Sequence, residues 1–316
     1  MTMIGAVKCN EGVVLLADGQ ETITDYAKWS VNKIKSAELI GQFRCVMTGA
    51  GSADTIDMIW ERVSELWNSN GSSYLHGWIS GVEIRSLQQW RQEIVSIVRE
   101  TAETSIIPWG NAHSGVSLIW LIQDLSGPSA QTGTMPVELF RTVNLDTNNI
   151  RDFHFDGNPV LLARYLSDLY LKHYLWGLEE ARAFAAYLLW EAKEYDPTVG
   201  KQSDIVTFKS DGSVSRMSYE ELSYWEDHFR VLKREMSVLP LLSCATTIRS
   251  QLYDVDDRME RLNIAIRTLA AEQEKMRMGK REPSRIDTIL SPQLQKHAQD
   301  FEKKRAKKLG LTPVNT

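Results

Sequence analysis

The opening fifty residues constrain this chain more than any other part of it. Met3 to Lys8, Gly12 to Ala17 and Phe43 to Thr48 are short apolar or alternating runs bounded by turn residues, and each predicts a β-strand. The chain enters a sheet at its third residue. A terminal amine serves as a chemical group only if a sheet holds it still, because untied termini fray. The pattern therefore predicts a terminus fixed enough to carry chemistry.

Helices and further strands follow in blocks. Behind Gly51-Ser52, the residues Ile56, Ile59, Trp60, Val63, Leu66 and Trp67 line one side of a helix, with Ser52 or Asp54 available as its cap. A Gly/Ser-rich break at 68–73 precedes a second helix over about 84–101, with Leu87, Trp90, Ile94 and Val98 on its apolar face. Strands are predicted at 115–123, 137–143 and 150–155, then two helices at 159–172 and 179–194. A last strand at 204–209 turns through Ser210-Asp211-Gly212-Ser213 into 214–217. Strand blocks alternating with helix pairs predict an α+β fold, with two sheets layered between helices.

Beyond about Arg234 the pattern changes. Ile248, Leu252, Val255, Met259, Leu262, Ile266, Leu269 and Met276 recur at steps of four and three, interrupted at Gln273, which is coiled-coil spacing. Arg281-Glu282-Pro283-Ser284 breaks it, a short helix is expected from Pro292, and a basic run over 303–308 reads as a solvated helix end. Two regions are expected, a globular domain over 1–235 and a helical extension over 236–316.

Composition limits the function classes. A formal charge of −5 over 316 residues gives no overall attraction for nucleic acid or an anionic membrane. Cys9, Cys45 and Cys244 are too few and too scattered for a disulfide framework, and the six histidines show no metal-ligand spacing. No nucleotide-binding glycine pattern occurs, so no cofactor and no metal are expected. With neither a signal peptide nor an 18-residue apolar run, the expected location is the cytoplasm.

The chemistry rests on the second residue. A hydroxyl is a weak nucleophile at neutral pH and needs a base within reach. When Thr opens a chain, its own α-amine is that base, because its unperturbed pKa of about 8 lies close to working pH. Thr2 follows Met1, and its small side chain makes Met1 a candidate for removal by a methionine aminopeptidase.

Residues 2–22, with Asp18-Gly19-Gln20-Glu21-Thr22 at their end, resemble the opening of proteasome beta subunits and more closely that of the HslV-type protease. Val31-Asn32-Lys33-Ile34 resembles the segment that bears the family's active-site lysine. Thr48-Gly49-Ala50-Gly51-Ser52-Ala53-Asp54 resembles its glycine-rich turn before the first helix. Asp196-Pro197-Thr198-Val199-Gly200 matches the family's Asp-x-x-Ser-Gly at Asp196 and Gly200, with Val199 in the serine position. Phe155-Asp156-Gly157 stands where many members carry Gly-Ser-Gly, so Asp156 replaces a serine that contacts the terminal amine.

The resemblance covers about residues 2–235 and implies a four-layer αββα sandwich of the N-terminal nucleophile (Ntn) hydrolase type. It implies a threonine-type peptidase in which Thr2 attacks, Lys33 lies against its hydroxyl, Asp18 holds the lysine, and the backbone at Ala50 and Gly51 receives the oxyanion. Asp156, Asp196 and Gly200 would support the site, Asp156 at the cost of a more basic, poorer amine. It further implies a homo-oligomeric ring acting on peptides or unfolded protein, and leaves an unfoldase partner open. Two alternatives stand beside it: a catalytically silent proteasome-like assembly protein, and an Ntn amidohydrolase of small molecules.

Overall fold

A computed structural model describes residues 2–24, 27–30, 32–39, 43–69, 87–105, 116–125, 137–143, 146–157, 159–170, 177–196, 199–200, 202–236, 249–277 and 286–309. Two compact units divide the chain, Met1–Met217 and Ser218–Thr316.

The first unit is built on two five-stranded antiparallel sheets. One joins β1 (Met3–Cys9), β2 (Gly12–Asp18), β10 (Phe153–Gly157), β11 (Ser203–Lys209) and β12 (Val214–Arg216) in the order β10-β1-β2-β11-β12. The other joins β5 (Lys35–Leu39), β6 (Phe43–Ala50), β7 (Ser117–Asp124), β8 (Val137–Val143) and β9 (Asp146–Asn149) in chain order. A hairpin of β3 (Gln20–Thr24) and β4 (Ala27–Ser30) links the first two strands to β5.

Period-two alternation decides how the sheets pack. Ile4 and Ala6 of β1 and Val13, Leu15 and Ala17 of β2 share a buried cluster with Val46 and Ala50 of β6 and Ile119 and Leu121 of β7. The two sheets therefore share one apolar core. The alternate residues Cys45 and Met47 of β6 and Leu118, Trp120 and Ile122 of β7 pack against Ile59 and Val63 of α1 (Ala53–Ser69) and Trp90, Ile94 and Val98 of α2 (Leu87–Ser105). Each such fully buried Leu or Ile contributes roughly 1.5–3 kcal/mol relative to exposure. α4 (Leu178–Tyr195) packs on β1, β2 and β11, and α3 (Val160–Tyr170) on β10. This is a mixed α+β architecture.

In the second unit, α5 (Tyr219–Met236), α6 (Arg249–Arg277) and α7 (Ile286–Leu309) meet through Tyr224, Val231, Ala265, Leu269 and Leu294. α6 carries the heptads, yet Met259 and Ile266 are about half exposed while Ala265 and Glu272 are buried beside Leu269. The face turned toward α5 and α7 thus crosses the expected seam instead of following it. Ile248 lies outside the described residues, and α7 begins at Ile286 with Pro292 inside it, so Pro292 is not the helix start that the sequence suggested.

Candidate active site

Thr2 stands one residue before β1, a strand flanked by β10 on one side and β2 on the other. On the β10 side, Met3 pairs with Gly157, whose φ is +107°. A Cβ at Gly157 would lie 1.8 Å from the Thr2 carbonyl oxygen. Only glycine lets β10 approach this closely and adopt that dihedral without strain.

On the β2 side the strand ends at Asp18, which is fully buried. Its Oδ2 accepts the Gly200 N–H at 2.8 Å, and its Oδ1 accepts the Met3 N–H at 3.3 Å. The Lys33 ammonium donates to the same Oδ1 at 2.7 Å and to the Thr2 Oγ1 at 2.7 Å. Lys33 is itself nine-tenths buried. A buried carboxylate is tolerated only when paired and hydrogen-bonded, and here one cation and two backbone amides meet that need. The arrangement aims a positive charge at one hydroxyl, which favours that oxygen's deprotonated form.

The glycine-rich turn ends the neighbouring strand of the core. Ala50 closes β6 opposite Ser117 of β7, and Gly51 follows at φ +116°. Ser52 supplies the cap of α1, its Oγ accepting the Thr55 N–H at 3.4 Å.

Asp156 pairs with Ile4 in the ladder between β10 and β1. Its Oδ2 accepts the Ser117 hydroxyl at 2.5 Å, and its Oδ1 accepts the Gly157 N–H at 2.7 Å. One side chain thus ties β7, in the second sheet, to β10, in the first. His154 Nε2 lies 3.9 Å from Asp156 Oδ2. Burial and then the Arg141 charge hold its pKa below the ordinary value, against the opposing pull of Asp156.

Of the late segment, Gly200 reaches the site through its amide on Asp18, and Val199 is buried with its N–H on the Asp196 carbonyl at 3.0 Å. Asp196 ends α4, its N–H donating to the Ala192 carbonyl. The structure brings Thr2, Asp18, Lys33 and Gly200 together, and links Ala50 to Asp156 through Ser117. Ser117 was missed by sequence reasoning, which placed it in a strand but had no register from which to read its partner. Among the described residues no group of His, Cys, Asp or Glu is arranged to hold a metal, and no helix is long and apolar enough to cross a membrane.

No family model matches the chain, and no curated protein matches its sequence. Solved structures do match. An Anbu (ancestral beta-subunit) protein from Yersinia bercovieri is 12% identical at a TM-score of 0.60, over 78% of this chain and 98% of its own. The Anbu complex from Pseudomonas aeruginosa, described as a helical assembly, is 15% identical at a TM-score of 0.60 over the same shares. A Gly-1 mutant of Anbu from Hyphomicrobium sp. strain MC1 is 14% identical at 0.58, over 74% and 96%.

At such identities the likeness is one of fold alone, a fold this chain shares with those Anbu structures. It corrects the family expected from the sequence. These neighbours are Anbu proteins, a family distinct from the proteasome beta subunits and HslV. The expected family rested on a resemblance in short local segments, around Thr2, Asp18, Lys33 and the Gly49 to Gly51 turn, and segments that short do not separate one such family from another.

Proposed function

We propose that this chain is an Ntn hydrolase of threonine type, cleaving amide bonds with Thr2 once Met1 has been removed. The observation that carries the proposal is the Lys33 ammonium, held by buried Asp18 and hydrogen-bonded to the Thr2 hydroxyl at 2.7 Å. A salt bridge made only for stability has no need of that third partner. The four-layer αββα arrangement is the corresponding fold proposal, supported by the common core of the two sheets and by α1, α2 and α4 on their outer faces.

In the proposed reaction the free amine of Thr2 takes the proton from Oγ1 as that oxygen attacks the carbonyl carbon. Lys33 keeps the oxygen acidic enough to react, and Asp18 keeps Lys33 charged and in place. The backbone N–H groups of Ala50 and Gly51 would face the oxyanion, a contribution of roughly 3 kcal/mol per donor in comparable sites. The α-ammonium then returns the proton to the leaving amine, leaving an ester on Thr2 that water hydrolyses by the same steps in reverse.

Peptides or unfolded chains are the proposed substrates, and self-assembly is proposed with them. The helical assembly of the Pseudomonas Anbu complex supports the latter. The test is a panel of fluorogenic peptides with the wild-type protein and Thr2→Ala. Hydrolysis lost in the variant, with the oligomer size retained, is expected. A protein that keeps Met1 and turns over no amide would instead be a proteasome-like assembly protein, the alternative favoured by Val199 and Asp156.

A further inference from the structure

Lys33 lies in a stretch, 32–34, that belongs to no strand or helix, so no ladder fixes its backbone until β5 begins at Lys35. A reactive geometry held to a few tenths of an ångström needs anchors of another kind. The next residue supplies them. Ile34 is buried in the core shared by the two sheets, and its carbonyl accepts the Arg216 Nη2 at 3.3 Å across 182 positions of sequence.

Arg216 is in turn fixed. Its Nε lies 3.4 Å from Asp204 Oδ1, and in the pairing of β11 with β12 Arg216 stands opposite Val206. By alternation Asp204 and Val206 share a face of β11, and Val206 belongs to the same core cluster as Ile34. The Ile34 N–H faces the Asp204 carboxylate too, where with the Arg216 charge it opposes the effect of burial on that acid. Asp204 is nine-tenths buried, and its Oδ2 has no hydrogen-bond partner among the described residues. Packing alone would not retain such an acid, since an apolar side chain there would avoid the desolvation cost.

We infer that Asp204 and Arg216 are positioning residues for the reaction, gripping the Ile34 peptide so that the Lys33 ammonium stays on Thr2 Oγ1. Neither touches the hydroxyl. The pair acts through one peptide unit, and the inference rests on the proposed role of Lys33.

The experiment uses the full-length protein with Arg216→Ala and Asp204→Asn. Arg216 is about half exposed, so its loss opens no cavity in the core. Hydrogen exchange of the segment around Ile34 should accelerate at least about tenfold in Arg216→Ala, and less in Asp204→Asn, which keeps an acceptor for the guanidinium. With peptide substrate, kcat should fall by about 10- to 100-fold, as expected for a misplacement near 1 Å, while KM stays within about twofold. The acid limb of the pH–rate profile should move to higher pH, because an amine less exposed to the Lys33 charge protonates more readily. A merely structural role would scale the whole profile down without moving it. Unchanged exchange around Ile34, or a profile that drops without shifting, overturns the inference. If the wild-type protein hydrolyses nothing, the proposed function fails on that result, and the grip on Ile34 stands or falls on the exchange rates alone.

Discussion

Replacing Lys33 by Met removes the charge at nearly constant length and leaves Asp18 buried with only backbone donors. At 2.7 Å and an effective dielectric of about 20, the gross attraction between the two charges is about 6 kcal/mol. Desolvation of both groups offsets much of that in the intact pair, but removing one partner leaves the other's desolvation uncompensated. Breaking buried pairs typically costs about 3–5 kcal/mol. The Gly200 and Met3 amides remain on the carboxylate, which places the expected loss toward 3 kcal/mol. For a compact unit ending at Met217, that lowers the melting temperature by about 6–12 °C. Asp18→Asn in the same background should recover most of it, because Asn still accepts the Gly200 N–H without a charge to strand. Urea unfolding of the two single variants and the double variant gives the coupling energy directly. A coupling below about 0.5 kcal/mol would place the pair among exposed surface bridges and refute the argument from burial.

Other perturbations test neighbouring parts of the account. Gly157→Ala should cost at least about 100-fold in kcat, since its Cβ, 1.8 Å from the Thr2 carbonyl oxygen, must push β10 and β1 apart by more than 1 Å; activity within a fewfold of wild type would contradict that. Ser117→Ala should lower stability by about 1–3 kcal/mol, because it removes the 2.5 Å hydrogen bond to Asp156 that ties β7 to β10, and an unchanged urea midpoint would contradict that. His228, in the helical unit, has a pKa pushed down by burial to about 4. Its unfolded form binds the proton first, so stability should fall as pH drops from about 6.5 to about 4, by up to about 3 kcal/mol. His228→Phe should flatten that dependence in denaturant titrations at pH 7, 5.5 and 4.5.

The sequence carried the sheet framework because burial on both faces writes apolar runs. β1, β2, β6 and β7 all lie where Met3, Val13, Phe43 and Leu118 begin such runs. β5 and β9 were illegible. Lys-Ser-Ala-Glu-Leu and Asp-Thr-Asn-Asn are polar edge strands, whose place is set by pairing with β6 and β8 and not by their own preferences. The contacts of Thr2, Asp18 and Lys33 were anticipated only because their segments resembled a known family. Ser117, Asp204 and Arg216 carry no local signal, because each acts across a register that single-sequence patterns do not contain. The heptads of α6 misled for a related reason: Ala265 contributes little to an apolar pattern, yet its small side chain lets α6 approach its neighbours, and Ile266 beside it faces outward.

The central claim is that Thr2, with a free amine, is the nucleophile. The direct measurement is mass spectrometry of the native protein before and after exposure to a peptide β-lactone, which acylates a reactive hydroxyl. The account predicts a mass lacking Met1, a single added acyl group that maps to Thr2, and no adduct in Lys33→Met. A retained Met1, or an adduct on any residue other than Thr2, would contradict it.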